Sequence, residues 1–351
     1  MTTIHCLGSG LVGSFVIKKL SKKGTKINVV DIEEKSYPED QKWVEIHVAD
    51  AVTYCQKISN KNDLFVNMLP GSLGHKVTKL LVSKGKKVVD LSFSEETPEL
   101  LHESALKSGA KLLWDVGIAP GFSNMLIAYA SRIGNGVINA EVRVGGNPVE
   151  IDEEWSYMAP FSPNDVIAEY TRPARIIRDR KLCVLPALSE RHKINVKQRG
   201  TMEAFLTDGL RSLLHTIPAN DMTEYTVRWP GHIQKFIDQR DAGVIDKKEL
   251  IQKWMFDVKR KEFTWMEVKV ECNNGKEMNW TIYDEGMNSD SSMARTTGIV
   301  TASCIKQWIM DDSLISEGVY PPESLPNEVI FNVLQDLRDE GVIIEGPDIN
   351  F

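Results

Sequence analysis

Gly8-Ser9-Gly10-Leu11-Val12-Gly13 is the segment whose residue types and spacing point most directly to a piece of chemistry. It follows a short apolar run, residues 2–8, and opens an amphipathic one, so the glycines fall at a strand-to-helix turn. That context, more than the bare glycine spacing, marks a dinucleotide site. There Gly8 permits a tight turn, Gly10 lets the backbone approach a pyrophosphate, and Gly13 lets helix and strand pack closely. Ser9, Leu11 and Val12 belong to the same turn, and the helix N-terminus offers free N–H groups and a partial positive charge to phosphate. Asp31 ends the next predicted strand, where a carboxylate accepts hydrogen bonds from ribose hydroxyls and repels a 2′-phosphate. The expected cofactor is therefore NAD rather than NADP.

Ligands of open α/β sheets bind beyond the carboxyl ends of the strands. Asn67, Leu69, Pro70, Leu91 and Ser92 lie at such ends and are placed to line the nicotinamide half. Asp50, followed by Ala51, either reaches the adenine edge or is a solvated loop acid. Asp115-Val116-Gly117-Ile118-Ala119-Pro120-Gly121 either brings backbone close to the ligand, with Ala119 and Pro120 beside it, or is a plain interdomain turn.

A second group of polar residues lies further on. Residues 169–180 read EYTRPARIIRDR, and the guanidiniums of Arg172 and Arg175 suit the two-point grip of a carboxylate. Residues 200–215, GTMEAFLTDGLRSLLH, read as a loop entering a helix. Thr207 or Asp208 then caps that helix. Alternatively Asp208, Arg211 and His215, at helical spacing, form a polar stripe facing a substrate. RWPGH, residues 228–232, reads as a tight turn presenting His232. The seven histidines show no metal-binding spacing, so no metal is expected.

These residues need a frame. Strands are predicted at 27–30, 44–48, 64–68, 88–91 and 112–114, with helical stretches between several of them. The first helix is predicted over 11–23 and closes at Gly24 after Lys22 and Lys23. Strands alternating with helices predict a doubly wound parallel sheet of Rossmann type over residues 1–122. Beyond it, residues 137–144 and 263–272 alternate apolar and polar, and Asn273-Asn274-Gly275 reads as a hairpin turn. Such strands predict an α+β domain with a largely antiparallel sheet over 123–292. Residues 296–310 return to helix, in a C-terminal segment, 293–351, that Pro321-Pro322 interrupts.

The chain has 351 residues, 42 Lys and Arg against 49 Asp and Glu, and a net charge of −7. That length suits two domains, and the acidic balance argues against nucleic acid as a partner. Five scattered cysteines make neither a disulfide framework nor a zinc site. No apolar run reaches a membrane span, and no charged or apolar leader precedes the first strand, which together predict a cytoplasmic chain.

GSGLVG (8–13), VVDLSF (88–93), DVGIAPGFSN (115–124), EYTRPAR (169–175), TMEAFLTDGLRSLLHT (201–216), RWPGH (228–232) and SMARTTG (292–298) make the sequence recognisable as a whole. It resembles the saccharopine dehydrogenase-like superfamily, and within it the L-lysine 6-dehydrogenase group. The resemblance implies that the C-terminal segment packs back on the Rossmann domain and that the protein is a homodimer. It implies NAD-linked oxidation of an amine on an amino-acid or polyamine-like substrate. For lysine, a hydride leaves the ε-carbon and the imine is hydrolysed to the semialdehyde. Asp208 and Glu203 are then the first candidates for the base and His215 the next, with Arg172, Arg175, Thr207, Arg211 and His232 around the substrate. Phe93 and Ala119 stand where saccharopine reductases of the superfamily carry Tyr and Asp, which argues against saccharopine chemistry. A carboxynorspermidine dehydrogenase-type imine reduction is the alternative within the superfamily. A non-catalytic NAD sensor is the alternative outside enzymes, because a fold alone does not decide function.

Overall fold

The computed structural model describes residues 2–21, 25–35, 43–287 and 289–350. The first stretch runs β1 (Ile4–Leu7), α1 (Leu11–Leu20), β2 (Ile27–Asp31), β3 (Val44–Val48), α2 (Ala51–Lys57), β4 (Leu64–Asn67), α3 (Gly71–Ser83), β5 (Lys87–Asp90), α4 (His102–Ser108), β6 (Lys111–Trp114) and α5 (Phe122–Ile133). The middle runs β7 (Val137–Pro148), α6 (Pro163–Thr171), β8 (Ala174–Arg178), β9 (Lys181–Leu185), β10 (His192–Val196), β11 (Gly200–Leu206), α7 (Leu213–Thr216), β12 (Asp221–Arg228), α8 (His232–Asp241), α9 (Lys247–Lys253), β13 (Glu262–Cys272) and β14 (Glu277–Glu285). The chain closes with α10 (Ser292–Met310), β15 (Gly318–Tyr320), α11 (Asn327–Asp339) and β16 (Ile343–Glu345). The expected helix stop at Lys22, Lys23 and Gly24 lies outside the described residues.

Contacts divide the chain into two compact units. One comprises the chain through Met125 with Thr297–Leu337, the other Leu126–Thr296 with Arg338–Ile349. The first holds a seven-stranded sheet in the order β15-β6-β5-β4-β1-β2-β3, every pair parallel. This is the predicted Rossmann-type sheet. Its central strands β1 and β4 are buried throughout, as strands covered on both faces must be. The edge strand β3 is only partly covered. The tail, expected to be helical, also supplies strands: β15 extends this sheet beside β6.

The second unit holds a larger sheet whose main path is β10-β11-β12-β7-β13-β14-β16, with β8 and β9 attached at β12. It is antiparallel apart from the β12–β7 pair, as predicted for the α+β domain. The β13–β14 hairpin turns at Asn273–Gly275, where Gly275 has φ +80.

One prediction of local structure fails here. Residues 200–206 are not a loop but strand β11, paired to β10 and β12, and helix is confined to Leu213–Thr216. The ladder to β10 and β12 draws these residues into a strand through neighbours that the local sequence does not contain. Neither Thr207 nor Asp208 therefore caps a helix, and the expected one-faced stripe of Asp208, Arg211 and His215 does not form.

Helices α6, α8 and α9 of this unit enclose an aromatic core that includes Trp155, Tyr157, Tyr170, Phe205, Phe236 and Trp254. His232 opens α8 in the middle of it and is 3% exposed. The RWPGH turn thus packs this histidine inward rather than presenting it. Nδ1 lies 2.8 Å from the Trp155 carbonyl and Nε2 lies 2.9 Å from the Tyr170 hydroxyl. A carbonyl only accepts, so Nδ1 carries the proton and the Tyr170 hydroxyl donates to Nε2. Burial drives the His232 pKa down to about 3. An unfolded imidazole protonates near pH 6.5, whereas folded His232 stays neutral until far lower pH. Stability is therefore expected to fall as pH drops through that window. Urea unfolding at about pH 6.5 and about pH 4.5 should show this loss, and His232→Gln should make it shallower; an equally steep loss in the variant would contradict the assignment.

Candidate functional site

The glycine turn between β1 and α1 has the form that a phosphate requires. Gly8 has φ +89, a left-handed conformation that favours glycine. A side chain on Gly13 would lie 2.5 Å from the Gly8 carbonyl oxygen, so α1 can approach the turn only because Gly13 has none. At Gly10 nothing lies within 4 Å of where a Cβ would sit. Gly10 is also the N-cap of α1 and offers no side-chain cap. The open space thus faces the uncapped N–H groups of a ten-residue helix.

Asp31 at the end of β2 is tied to this turn. One carboxylate oxygen accepts from the Ser9 N–H at 2.8 Å and the Ser9 hydroxyl at 2.6 Å, and the other accepts from the Glu33 N–H at 3.1 Å. Burial alone would raise its pKa, but the bonds from Ser9 and Glu33 hold the carboxyl below its ordinary range. An ionised carboxylate beside an open glycine turn fits the ribose and pyrophosphate of a dinucleotide. Ser9 and Gly13 are buried, whereas Leu11 and Val12 are at least partly exposed.

The other strand ends are more varied. Asp50 caps α2, accepting from the Thr53 N–H and hydroxyl at 2.8 Å each, with Ala51 buried behind it. Asp50 is thus a solvated acid that also caps a helix. Asn67 is fully buried, and its amide donates to the Gly74 carbonyl and the Thr78 hydroxyl at 2.9 Å each. The Thr78 hydroxyl donates to Asp90, which also receives the Ser92 N–H and hydroxyl. Asn67 and Ser92 therefore fasten β4, β5 and α3 to one another through their side chains. Leu69 and Leu91 are half-buried, and exposed Pro70 starts α3. After β6, buried Asp115 has φ +55, a conformation a non-glycine residue rarely holds. Ala119 and Pro120, joined by a cis peptide, follow it and are half-buried.

In the second unit, β12 places Glu224, Thr226 and Arg228 at alternate positions on one face, and all three are buried. The loop after β11 closes over them. The Thr207 hydroxyl donates to Glu224 and lies 2.8 Å from that of Thr226. Asp208, 4% exposed, accepts from Arg175 three times: from its backbone N–H at 3.1 Å, Nε at 2.8 Å and Nη2 at 2.9 Å. Arg172 Nη1 stands 3.9 Å from the same carboxylate. Arg228 donates through Nε to the Tyr170 hydroxyl at 2.9 Å, and its Nη2 lies 3.4 Å from Glu169. Its guanidinium also lies 4.5 Å from the centre of the Tyr157 ring.

So many charged groups in a protein interior are costly unless paired, and perturbed acids concentrate at functional sites. Burial pushes the Glu224 pKa up to about 8 and that of Glu169 up to about 7. Asp208 and Thr207, which are buried, and Arg172 and Arg175, which are half-buried, were all read from the sequence as site residues and meet in one cluster. Arg211 is also buried, at φ +53. The other two residues named as bases lie outside the cluster. Glu203 sits on β11 in an ion pair with Arg191 at 3.0 Å, and His215 is exposed. Sequence reasoning missed Glu169, Glu224, Arg228, Tyr157 and Tyr170. The available signal was the Glu-x-Thr-x-Arg alternation at 224–228, which puts three polar groups on one face of a strand built from β-forming residues. Among the described residues no group of His, Cys, Asp and Glu is arranged to hold a metal ion, and no helix is long and apolar enough to cross a membrane.

Residues 4–112 match the family model of the saccharopine dehydrogenase NADP binding domain, and residues 117–342 that of the saccharopine dehydrogenase C-terminal domain. The chain belongs to the saccharopine dehydrogenase family. It is 23% identical over 195 residues to saccharopine dehydrogenase [NADP(+), L-glutamate-forming] of Schizosaccharomyces pombe, covering 52% of this chain and 43% of that protein. It is 23% identical over 142 residues to alpha-aminoadipic semialdehyde synthase of Arabidopsis thaliana, covering 39% of this chain and 13% of that one. The chain thus spans less than half the length of these curated relatives. In fold it is similar to the apo saccharopine dehydrogenase (L-Glu forming) of Saccharomyces cerevisiae, with a TM-score of 0.77, 15% identity, and 99% and 100% of the two chains covered. It is also similar to the homospermidine synthase of Legionella pneumophila in complex with NAD, with a TM-score of 0.70, 15% identity, and 99% and 92% covered.

The open space at Gly10 gives a direct test of the nucleotide site. Gly10→Ala meets no neighbour, so the thermal midpoint should stay within about 2 °C. NAD(P) affinity should fall by roughly tenfold or more, as a methyl group fills the space a phosphate would take. Fluorescence titration showing wild-type affinity in the folded variant would remove the site from this turn.

Proposed function

We propose that the protein is an NAD-linked oxidoreductase that oxidises an amine on an amino acid, with the ε-carbon of L-lysine as the reacting centre. The observation that carries this reading is the cluster of half-buried Arg172, Arg175 and Glu169 around buried Asp208, Glu224 and Arg228. Guanidiniums in such a setting suit an α-carboxylate, and the acids suit an ammonium that must lose a proton. The balanced reaction takes an R–CH2–NH3⁺ group, water and NAD⁺ to R–CHO, NH4⁺, NADH and a proton. The nucleotide, when bound, supplies the hydride acceptor.

The residues of the chain then divide the work. The glycine turn and Asp31 hold the nucleotide. Arg172 and Arg175 hold the carboxylate, and Asp208 fixes the plane of the Arg175 guanidinium through its two side-chain bonds. Asp208 and Glu203 are both engaged by arginines. Glu169 also pairs with Arg228, at 3.4 Å, but burial pushes its pKa up to about 7, which suits it to accept the ammonium proton at neutral pH. Thr207 and Arg211, buried in the same loop, belong to this substrate set, whereas both His232 nitrogens are taken up in the aromatic core.

A second reading is imine reduction of the saccharopine or carboxynorspermidine type, which the names of the relatives favour. The family model and the S. pombe relative also name NADP, whereas Asp31 favours NAD. Phe93 and Ala119, standing for the Tyr and Asp of saccharopine reductases, support the lysine reading.

A single screen separates these readings. The full-length protein is mixed with NAD⁺ or NADP⁺ and each of L-lysine, L-ornithine, saccharopine and carboxynorspermidine. L-lysine with NAD⁺ is expected to give the fastest reduction, and Asp31→Ser to lower the preference for NAD⁺ over NADP⁺ by roughly tenfold. Turnover of saccharopine without lysine would transfer the assignment to the second reading. Equal use of both nucleotides by the wild type would overturn the role of Asp31.

A further inference from the structure

Glu224 is enclosed by three consecutive residues that do two jobs at once. Thr207 holds it from one side: its hydroxyl donates to the Glu224 carboxyl, and its backbone N–H donates to the Glu224 carbonyl at 3.2 Å. Gly209 closes the other side, where a Cβ would lie 2.5 Å from both Cδ and Oε2 of Glu224. The loop can therefore settle on this carboxyl only because residue 209 has no side chain. Between the two sits Asp208, whose carboxylate grips Arg175 and faces Arg172.

The charged groups around Glu224 come from each element packed on it. Glu169 faces it from α6, Asp208 from the loop and Arg228 from its own strand, while Thr207 is its hydrogen-bond donor. Two of these three charged neighbours are acids. Ionising Glu224 would add a third negative charge beside Asp208 and Glu169, next to the arginines that would meet an anionic ligand. A neutral Glu224 keeps the local field more positive.

We propose that Glu224 is a positioning residue for the carboxylate end of the substrate. It acts through Thr207 and Gly209 on the placement of Asp208 and Arg175, and through its own charge on the affinity for an anion. The inference rests on the amino-acid reading above. Burial places the carboxyl pKa at about 8, so wild-type affinity should weaken as pH rises through that value.

The test compares full-length wild type with Glu224→Gln, which keeps the shape and removes the titration. KM for the amino-acid substrate is measured at about pH 6.5 and about pH 8.5, together with KM for the nucleotide. The rise in amino-acid KM between these pH values is expected to be roughly fivefold or more larger in the wild type than in the variant. The ligand's own titration is common to both, and nucleotide KM should rise equally in both. Equal rises in amino-acid KM would overturn the proposal. Should Glu224→Gln fail to fold, Thr207→Val tests the mechanical half. Its amino-acid KM should rise roughly tenfold with nucleotide KM within about twofold of wild type, and an unchanged amino-acid KM would overturn the proposal. Should no amine be oxidised, the proposed activity fails on its own. Calorimetric titration with L-norleucine then reads the same pH ratio, and absent or pH-parallel binding in wild type and Glu224→Gln would overturn the role of Glu224.

Discussion

A carboxyl enclosed by protein must find donors and opposite charge or give up its own charge. The second unit of this protein depends on how it meets that constraint for Asp208. With 4% of its surface exposed, Asp208 stays tolerable because Arg175 supplies three donors and Arg172 stands close by. That grip ties the loop after β11 to the start of β8. It also sets the direction in which the Arg175 guanidinium points. Removing one partner of such a buried pair is far more damaging than never having built it. The arrangement is thus held in place by its own cost.

The nucleotide unit rests on a different device: places where a side chain is missing. Gly13 lets α1 reach the Gly8 carbonyl, and Gly74 makes room for Ser92, whose Cβ lies 2.1 Å from where a side chain on Gly74 would start. Around these contacts Asn67, Thr78, Asp90 and Ser92 form a closed set of hydrogen bonds at the carboxyl ends of β4 and β5. These strand ends are therefore stiffened by polar groups that face inward. Pre-set donors and fixed backbone lower the cost of ordering a bound nucleotide.

Much of this was legible from local pattern. The parallel sheet announces itself through short, fully apolar strands, and β2 through β6 lie where those runs lie. The hairpin at Asn273–Gly275 follows from a turn that needs a left-handed residue. What escaped has a common cause. In residues 200–215, the helical spacing of Asp208, Arg211 and His215 suggested a loop entering a helix, but β11 gains two neighbouring strands that no local pattern contains. Glu224 was not singled out in the sequence, and Arg228 was read only as the start of a tight turn. Only the loop folded over β12 turns them into interior charges. Asp50 is exposed, as the solvated-acid reading had it, but its capping of α2 through Thr53 was not read from the sequence.

The central claim is that the arginine–carboxyl cluster holds an amino acid whose amine-bearing carbon gives up a hydride to the nucleotide. Its most direct test follows that hydrogen. The full-length protein is incubated with NAD⁺ and L-lysine carrying deuterium in both positions on the ε-carbon, and the reduced nucleotide is examined by mass spectrometry. The account predicts one deuterium in each molecule of NADH formed. NADH without deuterium, or no NADH from a folded protein that binds NAD⁺, would contradict it.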